Sequence, residues 1–329
     1  MRFGLFGGAR TGRSAGLGDS HGYQGFIDYV READRLGFHS LFMVEHHFTG
    51  QGQVSASMTL LAYLAARTRR IRLGTAVVVL PWHNPVLVAE QAATLDLLSG
   101  GRFDFGIGKG YRQAEFDGFC MPIDEATERF DEAMQVIRRA WTCGGRFSHH
   151  GRHWHFENIT VEPEPLQRPH PPLWLAAGSE ASIRRAAREG YNLLLDQLAS
   201  VAQVIERVAI FREECERTGR AWDPMQVGVT RALQMFQEES QRAAALETRR
   251  RVVGVIGDLA RGERPARPED DDAPLLGLPG EVIARLRRLH AGGVRNILLV
   301  DPNATPAGLH AFAQQVMPEF GPSPAAAAE

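Results

Sequence analysis

Eight strand-like runs, each followed by a helix-like segment, constrain this chain more than any other feature. Short apolar, β-branched or aromatic runs near 2–7, 40–44, 71–79, 102–107, 172–177, 191–195, 226–235 and 295–300 read as strands. Apolar residues at helical spacing fill the intervals near 22–36, 55–67, 85–98, 124–141, 180–188, 200–217, 237–259 and 280–290, and recur near 306–317. Strands joined through helices pair in parallel, with right-handed crossovers. Eight such units predict an α/β fold, the (β/α)8 TIM barrel, with a doubly wound open sheet as the competitor that shares the same alternation. The punctuation agrees: Gly37 follows Asp34-Arg35-Leu36, Gly100 and Gly101 follow Ser99, and Pro85 and Pro306 stand at first helical positions.

Two segments exceed a minimal barrel. Residues 144–171 hold alternating pieces around Trp154–Phe156 and Ile159–Val161, which predict a small hairpin and a proline-rich return. Residues 262–280 carry Pro265, Pro268, four consecutive acids from Glu269 to Asp272, and Pro274, a composition of loops rather than packed elements. Because that segment precedes the last barrel helix, it also reads as a lid. The expected organisation is one barrel domain over 1–320 and a disordered tail over 321–329.

With 44% hydrophobic and 23% charged residues and a net charge of −2, the 329-residue chain has ordinary globular composition and no nucleic-acid footprint. Its basic pairs, Arg138-Arg139 and Arg184-Arg185, fall inside helical patterns, where a solvated face accounts for them. Cys120, Cys143 and Cys215 are odd in number and widely spaced, so neither a disulfide framework nor a zinc knuckle is expected. Reduced thiols, no apolar run near the roughly 20 residues of a membrane span, and an N-terminus that enters a strand directly point to the cytoplasm.

Three strand ends carry chemistry. The apolar run Leu41-Phe42-Met43-Val44 stops at Glu45-His46-His47-Phe48, an acid and two imidazoles. Gly101 to Gly108 runs into Lys109-Gly110, and Pro172 to Ala177 runs into Gly178-Ser179 before a helix. In α/β proteins the carboxyl ends of strands form the reaction mouth, so an acid/base, a cation and backbone donors placed there point to an enzyme.

Each feature also has a plainer reading. Neighbours on an extended strand face opposite ways, so His46 and His47 do not share one ion, and one of them packs behind the mouth. His149, His150, His153 and His155 crowd together without a regular ligand pattern, which favours a solvated hairpin over a zinc site; no metal is expected. Gly106-Ile107-Gly108-Lys109-Gly110 has Tyr111 where a dinucleotide fingerprint needs its third glycine. Lys109 is then either a phosphate contact or an ordinary turn lysine. Ser179 and Ser182 open a helix, where capping and anion binding use the same donors.

Together, Glu45-His46-His47-Phe48, Leu73 to Pro81, Leu97-Leu98-Ser99-Gly100-Gly101-Arg102-Phe103, Pro169 to Trp174 and Gly178-Ser179 resemble the bacterial luciferase-like family of flavin-dependent monooxygenases. The resemblance is close over roughly 1–195 and looser beyond. It implies a (β/α)8 barrel that binds reduced FMN (FMNH2) at the mouth and reacts it with O2 to a flavin C4a-peroxide, which oxygenates a small organic substrate. It implies that His46 is the catalytic residue, that Ala76 and Val77 hold a non-prolyl cis peptide under the ring, and that Lys109, Arg129, Ser179 and Ser182 contact the phosphate, with the Tyr111 and Gly178 backbones nearby. Lys109 stands where an arginine is usual, Gly108 where light-emitting members have a thiol, and Gly178 where they have a carboxylate, so light emission is not implied. The implied partners are a separate NAD(P)H-dependent flavin reductase and a second copy of the chain, with no nucleic acid or membrane. The alternatives are a deazaflavin-dependent hydride-transferring oxidoreductase of the same superfamily and a non-catalytic flavin-binding protein.

Overall fold

The computed structural model describes residues 1–10, 19–50, 52–256, 271–301 and 304–321. The first part of the chain runs β1 (Arg2–Gly7), α1 (Asp19–Leu36), β2 (Ser40–Met43), α2 (Ser57–Arg67), β3 (Arg72–Thr75), β4 (Val78–Val79), α3 (Pro85–Leu98) and β5 (Phe103–Gly108). Then come α4 (Gln113–Gly118), α5 (Ala126–Thr142), β6 (Phe147–His150), β7 (His155–Ile159), β8 (Leu173–Ala176), α6 (Glu180–Arg188), β9 (Asn192–Leu195) and α7 (Val201–Arg217). The last part is β10 (Val227–Met235), α8 (Arg242–Ile256), β11 (Leu275–Gly277), α9 (Pro279–Ala291), β12 (Asn296–Val300) and α10 (Pro306–Gln315). The eight expected strands correspond to β1, β2, β3 continued by β4, β5, β8, β9, β10 and β12.

Two compact units divide these elements: Gly7–Arg31 with Leu41–Leu175, and Met1–Phe6 with Glu32–Ser40 and Ala176–Glu329. In the first, β5 is the central strand. It pairs in parallel with β3 (Leu73 opposite Phe103), with β4 (Val78 opposite Ile107) and with β8 (Phe105 opposite Leu173). All six residues of β5 are buried, which is why its sequence is apolar on both faces apart from Asp104. That carboxylate accepts from Arg72 Nε (2.7 Å) and Nη2 (3.1 Å) and from Trp174 Nε1 (3.1 Å), so the buried charge is fully paired. Phe42 meets Trp174 edge-on at 5.1 Å, and each such ring contributes about 1.5–3 kcal/mol by leaving water.

Arg102 explains the Leu97–Phe103 motif. Its guanidinium donates to the carbonyls of Ala65 (2.9 Å), Thr68 (3.3 Å), Ile71 (2.8 Å) and Ser99 (2.8 Å), closing the carbonyl-rich end of α2 and the entry to β3. Gly100 and Gly101 take positive φ (65° and 78°) to turn α3 back into β5, a conformation that disfavours side chains.

The second unit is built on β10, which pairs in parallel with β9 (Val227 opposite Leu193), β12 (Gly228 opposite Asn296) and β11 (Leu233 opposite Leu275). β12 pairs in turn with β1, Leu5 opposite Leu299. Phe3, Phe38 and Phe312 pack as a ring cluster, with Phe3 and Phe312 centred 5.1 Å apart.

Four expectations need correcting. Residues 262–280 are not all loop: Leu275–Gly277 is a fully buried strand, and α9 begins at Pro279. Its three apolar residues were hidden by flanking prolines and acids. The lid reading for 262–270, and the tail beyond 321, lie outside the described residues. The helix expected at 237–259 spans Arg242–Ile256, after a short 3-10 turn. The six-residue α4 was not anticipated, because a run that short shows no helical period. A hairpin forms, but between other strands than expected: β6 pairs antiparallel with β7, Phe147 opposite Ile159, so both alternating pieces at 154–156 and 159–161 fall on or beside β7. One carboxylate, Glu132 of α5, accepts from the backbone N–H groups of Arg152 (3.1 Å), His153 (3.0 Å) and Trp154 (2.8 Å) and meets His149 Nε2 at 3.2 Å. Among the described residues no helix is long and apolar enough to cross a membrane.

Candidate active site

β2 ends at Met43, and the chain beyond it is no longer extended along the sheet. The His46 N–H donates to Val54 O at 3.1 Å, which turns the two imidazoles toward different acids. His46 Nδ1 lies 3.1 Å from Oε1 of Glu115 on α4, and the same oxygen accepts the His47 backbone N–H at 3.0 Å. Glu115 is buried, which alone would favour its neutral form, yet the hydrogen bonds from the His46 ring and the His47 amide hold its pKa below the ordinary carboxylate range. An ionised Glu115 requires Nδ1 of His46 to be the donor. In the neutral ring Nε2 is then the acceptor, the form a general base needs.

His47 goes elsewhere. Its Nε2 lies 3.2 Å from Oε1 of Glu45, and His83 Nε2 lies 2.9 Å from the same atom. Glu45 is buried, and burial opposes its ionisation, but the hydrogen bonds from His47 and His83 keep its pKa low. The His47 ring packs edge-on against Phe119 (4.9 Å) and Trp82 (5.4 Å), so it is the imidazole held behind its partner.

In the same unit β3 runs into a cis peptide between Ala76 and Val77, as the resemblance implied. The Ala76 N–H donates to Met43 O at 2.7 Å, joining this segment to the strand that precedes the histidines. Glycines on β5 admit it: a Cβ at Gly106 would overlap the Thr75 carbonyl, and one at Gly108 would come within 2.6 Å of Val77 Cγ2. Thr75 Oγ1 completes the seam, donating to Gly106 O at 2.6 Å and accepting its N–H at 2.9 Å. Val44, Ala76 and Val77 remain half-exposed, an apolar floor of the kind a flat ring requires, whereas Leu175 is buried in the sheet.

The cations lie near the start of α5. Lys109 is exposed and donates to Thr127 Oγ1 at 3.0 Å. Arg129, half a turn further on, grips Glu125 through Nε (2.9 Å) and Nη2 (2.8 Å). Its charge is therefore shared already, and Lys109 is the freer of the two. Tyr111 exposes its ring, and its hydroxyl accepts from Arg112 Nε at 3.2 Å.

Gly178, Ser179 and Ser182 belong to the other unit, where β8 gives way to α6. Ser179 caps the helix, accepting the Ser182 N–H at 3.4 Å, while Ser182 Oγ accepts the Ser179 N–H at 3.1 Å. The N-cap uses the same groups that were expected to form an anion cradle. Of the hairpin histidines, His149 meets Glu132, and the exposed His150 lies 3.4 Å from the exposed Glu157.

Sequence reasoning missed Glu115, His83 and Thr127. Glu115 sits on a short polar helix, and nothing in its neighbours signals that it faces inward. His83 follows a Pro-Trp turn and carries no motif. The role of Glu45 was legible only as part of a string.

Residues 1–296 match the family described as luciferase-like monooxygenase. The chain is 36% identical over 172 residues to the uncharacterized protein y4vJ of Sinorhizobium fredii, a match covering 52% of this chain and 49% of that protein. It thus spans about half the length of that relative. To the oxygenase component of the flavin-dependent trigonelline monooxygenase of Acinetobacter baylyi it is 29% identical over 328 residues, covering 92% of this chain and 91% of the other. Among solved structures, monooxygenase RslO1 of Streptomyces bottropensis aligns with a TM-score of 0.85 at 27% identity, covering 98% of this chain and 100% of that one. The alternating strands and helices are accordingly those of a (β/α)8 barrel.

Proposed function

This chain belongs to the luciferase-like monooxygenase family, and we propose that it is the FMNH2-dependent oxygenase of a two-component system that receives its flavin from a separate NAD(P)H-dependent reductase. The observation that carries this reading is the His46–Glu115 pair at the end of β2, joined through Met43 to the Ala76–Val77 segment. Reduced flavin, when bound, supplies the electrons that activate O2 for transfer of one oxygen atom to a small organic substrate.

The chain's own residues do the rest. Val44, Ala76 and Val77 exclude water from one face of the ring. Lys109, with Arg129 sharing Glu125, neutralises phosphate as a compact charge rather than a fork, and Ser179, Ser182 and the Gly178 and Tyr111 backbones offer hydrogen bonds to it. His46 takes or returns a proton at Nε2 while Glu115 holds Nδ1. The exposed Tyr63, Leu87 and Leu98 on α2 and α3 support a homodimer through these helices.

The test is anaerobic titration with FMNH2 followed by mixing with air. Protein-bound flavin is expected to regain its oxidised absorbance more slowly than free FMNH2. Reoxidation at the free-flavin rate, or preference for a deazaflavin over FMN, would overturn the proposal.

A further inference from the structure

Gly178 has no backbone reason to be glycine. Its φ lies outside the left-handed region, and a Cβ there would meet its neighbours only at ordinary contact distances. Those neighbours are polar: Asp196 Oδ2 at 3.8 Å and Arg207 Nη2 at 3.9 Å from the position the Cβ would take. The missing side chain leaves a small notch at the carboxyl end of β8, lined by one acceptor and one donor.

Both lining groups are held firmly. Asp196 follows β9, and its Oδ1 accepts the N–H groups of Leu198 (2.8 Å) and Ala199 (3.1 Å). Its Oδ2 accepts from Arg207 Nη1 at 2.9 Å. Arg207, on α7, is only 9% exposed, and its Nη2 has no hydrogen-bond partner among the described residues. Nη1 is engaged by Asp196, which leaves Nη2 of this largely buried guanidinium available to an acceptor that enters the notch. The adjacent Gln197 adds a buried side-chain oxygen, Oε1, that also lacks a partner.

The pair has no net charge, so it offers little to an anion or a cation. An acceptor and a donor at matched distances suit a group that both donates and accepts, and a hydroxyl does both. Gly178 directly precedes Ser179, the helix start assigned above to the phosphate. In FMN the portion bonded to the phosphate is a polyol.

We propose that Gly178, Asp196 and Arg207 form a subsite for the hydroxyl groups of the flavin's ribityl chain. This rests on the flavin reading given above. Glycine at 178 lets the polyol approach the backbone, Asp196 Oδ2 accepts from a ribityl hydroxyl, and Arg207 Nη2 donates to one.

Fluorescence titrations with FMN, riboflavin and lumiflavin test this, because lumiflavin lacks the ribityl chain and riboflavin lacks only the phosphate. Gly178→Ala is expected to fold normally and to weaken FMN and riboflavin about tenfold each, leaving lumiflavin unchanged. Arg207→Lys, which keeps the charge but moves the donor, should show the same pattern. Loss of FMN affinity alone would place the notch at the phosphate and overturn the ribityl assignment. So would equal loss for all three flavins, or no loss for any. If the unaltered protein binds none of the three, the proposed function itself fails; if it binds them and the variants do not discriminate, only the subsite fails.

Discussion

One oxygen of Glu115 serves two consecutive residues, taking the ring N–H of His46 and the backbone N–H of His47. The His46→Ala protein should fold and bind FMN yet lose oxygenation by on the order of 10²-fold, the usual effect of removing a general acid/base. Glu115→Gln keeps an acceptor but removes the charge, and its turnover should fall about tenfold with substrate KM little changed. Steady-state rates on both variants check this, and full activity in His46→Ala would remove the residue from the mechanism. Glu45 is one of the carboxylates that contribute to acid stability. Its folded pKa lies below the usual value of 4.5, so between the two values the unfolded chain binds the extra proton. Stability from this group is therefore complete above the usual value and is lost as pH falls toward the folded one. Urea unfolding followed downward from about pH 6 should show a flatter acid limb in Glu45→Gln than in the native protein.

The elements differ in how openly the sequence declares them. Buried strands such as β5 are legible because parallel sheets bury both faces, and α3 is legible from Asn84-Pro85 at its start and Ser99-Gly100 at its end. β11 and α4 are not, since three apolar residues or six mixed ones give no period to count. Of the candidate residues, His46, Lys109 and Ser179 could be seen at strand ends, but Glu115 could not, because its inward orientation is a tertiary fact. Arg102 illustrates the reverse case: a motif residue whose work is to close α2. Arg102→Ala should cost about 2–4 kcal/mol in urea unfolding while leaving flavin affinity intact. Lys109→Ala, just after β5 and bonded to Thr127 of α5, should cost roughly 1.5–3 kcal/mol of FMN binding and almost none of riboflavin binding. Equal losses for the two flavins would deny Lys109 its phosphate.

At the scale of the whole molecule, the count of strand–helix units carried the fold, because their alternation admits few topologies. The proposed self-association surface is less visible in sequence, since exposed apolar residues become informative only when they cluster. Tyr63 is 47% exposed, Leu87 54% and Leu98 61%, on the two consecutive helices α2 and α3. Leu98→Glu is expected to shift the protein from dimer to monomer in light scattering without changing its circular dichroism; a native protein that is already monomeric would reject the dimer.

One carboxylate ties the turn of the hairpin to α5 through the main chain. Glu132 receives three successive N–H groups from the turn that joins β6 to β7, and it receives them from the main chain, which every residue except proline possesses. That backbone tie constrains the length of the turn rather than its spelling, although Arg152 also pairs with Glu128 and His153 is nearly buried beside it. Substitutions at 152–154 keep the backbone tie to Glu132, provided none becomes proline, but a single inserted residue would leave the carboxylate facing the wrong part of the loop. Variation over this patch should consist of substitutions and not of insertions or deletions.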